Sequence, residues 1–211
     1  MNPITPDTFC QVLDLEAIKE KFRDAVRPLP ENDRKIIWEA FAFAETKHEG
    51  QLRDEGTPYI SHPIFAALLA LEYAGTVEDV CTMLLHDTLE DTQTTVAELK
   101  KAFGSDITEN VKALSHTIGK KKIDPEAYLT NIQSNPKWVR YKALDRLANL
   151  HSLYLTPKRS KKKRYVLATR EIFYPIFQPV VPEIALRMEE MVKYIAAHPI
   201  LPKWVKEKVK R

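Results

Sequence analysis

Apolar residues in this chain recur every three or four positions in segment after segment, and no segment sustains an alternation of apolar and polar residues. That periodicity is the signature of helices that bury one face, and it leaves no material for a sheet. Over residues 33–47 the buried face would be Ile36, Ile37, Ala40, Phe41 and Ala44. A second helix would start at Pro63 and run through Ile64, Ala67, Leu68 and Leu71 to a stop near Gly75. Proline is tolerated there because a first-turn N–H has no intrahelical partner to lose. Thr76 reads as the N-cap of a helix over 77–91. Thr95 with Glu98 reads as a capping box opening a short helix that ends near Gly104, with another over 105–115. Residues 120–136 look irregular apart from a short helix over 126–133. Further helices are expected over 138–154, over 161–177 with a break at Pro175, and over 182–197. Five glycines against 14 prolines fit the same picture, and neither glycine-rich phosphate-loop pattern occurs. The expected fold class is all-α: a peripheral segment over 1–30, one helical domain over 31–200, and a basic tail over 201–211.

The 211 residues suffice for one domain with a real core. With 32 basic and 29 acidic side chains, the net charge of +3 does not call for nucleic acid. Cys10 and Cys81 are too few for a disulfide framework or a thiolate metal site and read as reduced thiols. The start of the chain lacks a basic stretch followed by an apolar core, so no secretory signal is expected. The longest apolar run, 64–71, is too short to span a bilayer. A cytoplasmic protein without membrane contact is the expectation.

Chemistry concentrates in Leu84-Leu85-His86-Asp87-Thr88-Leu89-Glu90-Asp91. On one continuous helix, at about 100° per residue, the four polar side chains would cover an arc of about 140°. Four titratable groups beside an apolar stretch are costly to bury unpaired. A divalent cation would offset that cost. His86 and Asp87 are two workable ligands, and His62, just before a helix start, and Asp145, inside another helix, would complete a set of two imidazoles and two carboxylates. Such a nitrogen–oxygen set suits Mn²⁺, Fe²⁺ or Mg²⁺, whereas Zn²⁺ is less natural without thiolate. Singly, each fragment has an ordinary explanation: a surface His-Asp pair, a capping histidine, a solvated helix pair. Their order and spacing together are what carry the signal.

That order, with its flanks, resembles the HD metal-dependent phosphohydrolases and, more narrowly, the hydrolase domain of RelA/SpoT homologues. The matching residues are His48-x-x-Gln51-x-Arg53, Gly56-Thr57-Pro58-Tyr59-Ile60-x-His62-Pro63, His86-Asp87-x-x-Glu90-Asp91-Thr92 and Lys142-x-x-Asp145-Arg146-x-x-Asn149, within about residues 41–176. The resemblance implies a single HD-domain helical bundle and a stand-alone small alarmone hydrolase. Such an enzyme removes the 3′-pyrophosphate of ppGpp or pppGpp to give GDP or GTP and pyrophosphate, usually with Mn²⁺. Position by position, His62, His86, Asp87 and Asp145 would hold the ion, and Glu90 and Asp91 would be the catalytic acidic pair. Arg53 and Asn149 would contact the nucleotide, with Lys142 and Ser152 on the same helix face as Asn149.

The chemistry is coherent, since a bound divalent ion acidifies water and neutralises phosphate charge. The basic run Lys158-Arg159-Ser160-Lys161-Lys162-Lys163-Arg164 reads first as a solvated helix start, and beside a polyanionic substrate as a phosphate-attracting rim, with Arg164 a candidate contact. Lys120, Lys121 and Lys122 carry the same two readings. His48, Gln51, His116 and His151 read as supporting residues rather than ligands. One departure stands out: Asp54 and Glu55 follow Arg53 where long family members often carry a basic and a small residue, which bears on base or phosphate-number preference. Adenosine alarmones or the 2′-phosphate of NADPH are alternative substrates on the same fold. A nucleotide-binding regulatory module without turnover is the alternative of another class, disfavoured by the intact ligand set. Related hydrolases act as antitoxins against a toxic synthetase, so that counterpart and a homodimer are the macromolecular partners the resemblance suggests.

Overall fold

The computed structural model describes residues 4–119 and 121–209. Its helices are α1 Pro6–Cys10, α2 Leu15–Val26, α3 Glu31–Lys47, α4 Ser61–Glu72, α5 Val77–Leu85, α6 Thr88–Asp91, α7 Val96–Leu114, α8 Pro125–Gln133, α9 Pro136–Leu155, α10 Arg159–Ala168, α11 Tyr174–Phe177, α12 Pro182–Ala197 and α13 Lys203–Val209. The fold is all-α, as the periodicity requires. Among the described residues the sole ribbon pairs β1 Thr117–Ile118 with β2 Lys121–Lys122. Lys120 of the second basic cluster lies outside the described residues.

The centre of the bundle is α4 crossed by α5 and α9. Most of α4 is buried, from Ser61 through Ala67 and again at Leu69 and Ala70, because its sequence is apolar nearly all round. It ends as Ala74 turns left-handed at φ 57° and the Gly75 N–H bonds back to Ala70 O at 2.7 Å. A Cβ on Gly75 would lie 2.6 Å from that same oxygen, so the turn needs glycine. On α9, Val139, Leu144, Leu147, Leu150 and Leu155 join the core, and its buried positions include Asp145 and Lys142. Ionisable groups thus sit where two central helices meet, which sets up the site.

Several expectations are corrected by the structure. The N-terminal segment is not peripheral: Phe9, Phe22 and Val26 are fully buried, and α1 and α2 pack on α9 and α4. The cause is an apolar face, Ile18, Phe22 and Val26, at helical spacing, with Phe22 edge-on to Trp38 at 5.5 Å. Each such side chain contributes roughly 1.5–3 kcal/mol on burial. The basic tail carries α13, whose Val205 reaches the core. The expected helix over 77–91 is interrupted at His86-Asp87, splitting into α5 and α6. In α10–α11 the distortion falls before Pro175, as a π-helical turn over Thr169–Phe173, because proline clashes with the carbonyl four residues upstream. The Thr95 cap forms, Oγ1 accepting from the Glu98 N–H at 3.2 Å, while the Glu98 carboxylate pairs with Lys47 at 2.7 Å. Gly104 breaks α7 internally at φ 80°, where the sequence places a helix end.

Candidate active site

Three elements aim four side chains at one point. His62 stands at the N-terminal turn of α4, His86 and Asp87 at the break between α5 and α6, and Asp145 midway along α9. The break does specific work. After Leu85 the chain turns, the His86 Nδ1–H donates to Met83 O at 2.8 Å, and Nε2 is thereby directed inward. His62 Nε2 and His86 Nε2 lie 3.2 Å apart. Asp145 Oδ1 is 3.2 Å from the first and 3.5 Å from the second. Asp87 Oδ1 is 3.2 Å from His86 Nε2, and Asp87 Oδ2 is 3.6 Å from His62 Nε2. Donor atoms of His62, His86 and Asp87 all fall within 4.8 Å of one another. Ligands that share one ion at about 2.0–2.2 Å are themselves separated by roughly 3–3.5 Å, so His62, His86 and Asp87 fit a single divalent cation, with Asp145 Oδ1 beside both imidazoles.

The electrostatics agree. Burial opposes charge on Asp145, but the Lys142 ammonium and the two imidazoles outweigh it and hold the carboxyl well below the usual carboxylate range. Burial opposes charge on Asp87 too, and His86 with His62 overrides it, lowering that carboxyl. The two histidines part company. Burial, helped by Arg53, pushes His62 down to about 4. For His86 burial is overcome by Asp87 and Asp145, and it rises to about 9. Burial and the surrounding charges thus pull the two imidazoles in opposite directions, while both aspartates are favoured as carboxylates.

A shell of hydrogen bonds fixes these four side chains. Lys142 Nζ donates to Asp145 Oδ2 at 2.9 Å, and Asn149 Nδ2 donates to Asp145 Oδ1 at 2.6 Å. The Tyr59 hydroxyl donates to Asp87 Oδ2 at 2.8 Å and also reaches Asp91 Oδ2. Behind it, the His48 ring stacks on Tyr59 at 4.6 Å and pairs with Gln51 at 2.9 Å, and Gln51 Nε2 donates to Asp91 O at 2.8 Å. Glu90 on α6 accepts the His116 backbone N–H at 2.8 Å through Oε2. Burial raises the Glu90 carboxyl, and that N–H offsets the shift only in part.

Beside the cluster opens a cavity of about 220 Å³ that includes Arg53, Tyr59, Asn149, Ser152, Lys161 and Tyr165 in its wall. Arg53 Nη2 donates to Asn149 Oδ1 at 2.8 Å and to Ser152 Oγ at 2.9 Å. Asn149 therefore joins cavity and cluster, its oxygen on Arg53 and its nitrogen on Asp145. Of the residues expected from sequence, His62, His86, Asp87 and Asp145 converge, Glu90 and Asp91 flank them, and Arg53, Asn149 and Ser152 share the cavity. Lys142 turns inward to Asp145 instead. Arg164 is exposed on α10 and is not in the cavity wall, whereas Lys161 is. Sequence reasoning gave Tyr59 no role; its place three residues before His62, one turn away on the same approach to α4, was the available signal.

The HD domain family model matches residues 40–179, about two thirds of the chain. The chain is 36% identical over 146 residues to a guanosine-3′,5′-bis(diphosphate) 3′-pyrophosphohydrolase of Aquifex aeolicus, covering 66% of this chain and 21% of that protein. To the bifunctional (p)ppGpp synthase/hydrolase SpoT of Escherichia coli K12 it is 31% identical over 192 residues, covering 86% of this chain and 27% of SpoT. It thus spans about a quarter of the length of these relatives. A solved structure of a metazoan ortholog of SpoT that hydrolyzes ppGpp shares the fold with a TM-score of 0.68 at 20% identity, over 79% of this chain and 97% of that one. The chain belongs to the HD domain family, and the resemblance to RelA/SpoT hydrolase domains read from its motifs holds.

Proposed function

We propose that the chain is an Mn²⁺-dependent hydrolase that adds water across the 3′-ester of ppGpp or pppGpp and releases GDP or GTP and pyrophosphate. The observation that carries this reading is the convergence of two imidazoles and two carboxylates at 3.2–3.6 Å, joined through Asn149 to a cavity with a guanidinium in its wall. His62, His86, Asp87 and Asp145 would hold the ion, which when bound acidifies water and offsets phosphate charge. The all-nitrogen-and-oxygen donor set supports manganese over zinc.

The protein's own groups do the rest. Arg53, with Asn149 and Ser152, receives the nucleoside and sets its 3′ side against the ligands. Glu90 accepts the proton of the attacking water at the oxygen that the His116 N–H does not hold, and its raised affinity for protons suits a base. Asp91, steadied by Tyr59 and Gln51, orients that water. Lys142 keeps Asp145 ionised within the buried wall. Two cysteines in 211 residues, too few for a disulfide framework, support a cytoplasmic setting.

The test is product analysis of ppGpp, pppGpp, ppApp and NADPH with the protein stripped by chelation and reloaded with Mn²⁺, Mg²⁺ or Zn²⁺. Pyrophosphate and GDP from ppGpp, restored best by Mn²⁺, is the expected result. Faster turnover of ppApp, or of the NADPH 2′-phosphate, would reassign the substrate. Tight ppGpp binding with no product after long incubation would make the chain a nucleotide-binding module.

A further inference from the structure

The departure at Asp54 has a structural counterpart. Arg53, Asp54, Glu55 and Gly56 form a tight turn closed by the Gly56 N–H on Arg53 O at 2.9 Å, with Gly56 at φ 91°. Arg53 at the start of that turn points into the cavity. Asp54, at its tip, points across the mouth to α10. Its Oδ1 accepts from Lys158 Nζ at 2.7 Å and its Oδ2 from Lys161 Nζ at 2.6 Å. One carboxylate thus offers one oxygen to each of two ammonium groups more than 100 residues away, the arrangement a bridging phosphate would adopt. Asp54 and Lys161 both belong to the cavity wall.

The three groups differ in what holds them. The Lys158 and Lys161 side chains are 59% and 48% exposed, against 24% for Asp54. The lysines thus stand about half in water, while the aspartate is mostly covered at the tip of its turn. The two ammonium groups hold its carboxyl down at about 2, so it remains a competing anion at any physiological pH.

We propose that Asp54 is an internal competitor for substrate phosphate: it occupies the Lys158–Lys161 pair in the empty enzyme and yields the pair to the 5′-polyphosphate of a bound nucleotide. The inference rests on the alarmone reading of the same site, in which a nucleotide with its 3′ end at the metal ligands directs its 5′ phosphates to the cavity mouth. Its consequence is a damped preference for longer polyphosphates, because displacing Asp54 costs only those ligands that engage the lysines. A triphosphate outbids one carboxylate for two lysines, a diphosphate does so less well, and a monophosphate leaves Asp54 in place.

The test is a calorimetric affinity series for GMP, GDP, GTP and inorganic tripolyphosphate, without added metal, on the wild-type chain, Asp54→Asn, and Lys158→Ala/Lys161→Ala. Asp54→Asn should tighten GTP by about three- to tenfold, the scale set by two exposed ion pairs, and leave GMP nearly unchanged. The double lysine variant should flatten the series and lose tripolyphosphate binding. An unchanged GTP:GMP ratio in Asp54→Asn, or a weakening of GTP, would overturn the proposal and make Asp54 a residue that merely holds the lysines in position. If the chain proves to hydrolyse no alarmone, the enzymatic reading falls, yet the tripolyphosphate titration still decides the role of Asp54.

Discussion

The cluster at His62, His86, Asp87 and Asp145 and the cluster at Asp54, Lys158 and Lys161 are both built from opposite charges, and they behave as opposites. In the first, His62 and His86 are 4% and 3% exposed and every carboxylate is held by a second partner from another turn or helix. Removing one member leaves the others charged, buried and uncompensated, at a cost of several kcal/mol. In the second the lysines stand about half in water, where solvent and salt replace a lost partner, and an exposed pair is worth about 0–1 kcal/mol. On the proposed function, the buried cluster sets whether the chemistry occurs. The exposed one is cheap to rearrange, and that suits it to sensing what has bound.

That contrast can be broken at either end. The largest effect is expected at the buried cluster: Asp87→Ala or Asp145→Ala should remove divalent-ion binding, measured as metal per chain after dialysis, and bring hydrolysis to background. Full activity in either variant would dissolve the site. Next, Glu90→Ala should keep the metal stoichiometry and lower kcat by about 10²–10⁴-fold, the range for loss of a general base. If metal content falls with kcat, Glu90 belongs to the cluster rather than to its flank. Third, Arg53→Ala should raise KM by about ten- to a hundredfold, since it removes charge-assisted hydrogen bonds to the ligand-facing wall; a change confined to kcat would move Arg53 out of the nucleotide wall. The smallest effect is at the rim. The Asp54 carboxyl is lowered to about 2 in the folded state, so its contribution is present above the unfolded value near 3.8 and is lost as pH falls through about 2. Wild type and Asp54→Asn should therefore differ in thermal midpoint by less than about 1 kcal/mol equivalent at pH 7, with the gap closing below pH 4. A gap that widens on acidification would give the pair the wrong sign.

Much of this was legible from residue spacing because helices announce themselves locally. The Thr76 cap is present, Oγ1 accepting from the Asp79 N–H, and α8 starts within a residue of expectation. The break at His86-Asp87 was not legible. Met83 through Asp91 is a good helical pattern, and neither a proline nor a glycine marks the interruption. The burial of the N-terminal segment was equally hidden, because a short apolar face at Ile18, Phe22 and Val26 does not say which surface it covers. Lys142 reads as a solvated lysine along the chain, and only α9's central position turns it onto Asp145.

The order of the histidines and aspartates, with Arg53 and Asn149 at their offsets, was written in the chain, since residue type and helical period are local properties. Which of those groups touch was decided by the crossing of α4, α5 and α9, which brings residues 62, 86 and 145 to within a few ångströms. The partnership of Asp54 with Lys158 and Lys161 has the same origin: no local rule links positions a hundred residues apart, and only packing of the 53–56 turn against α10 makes them neighbours.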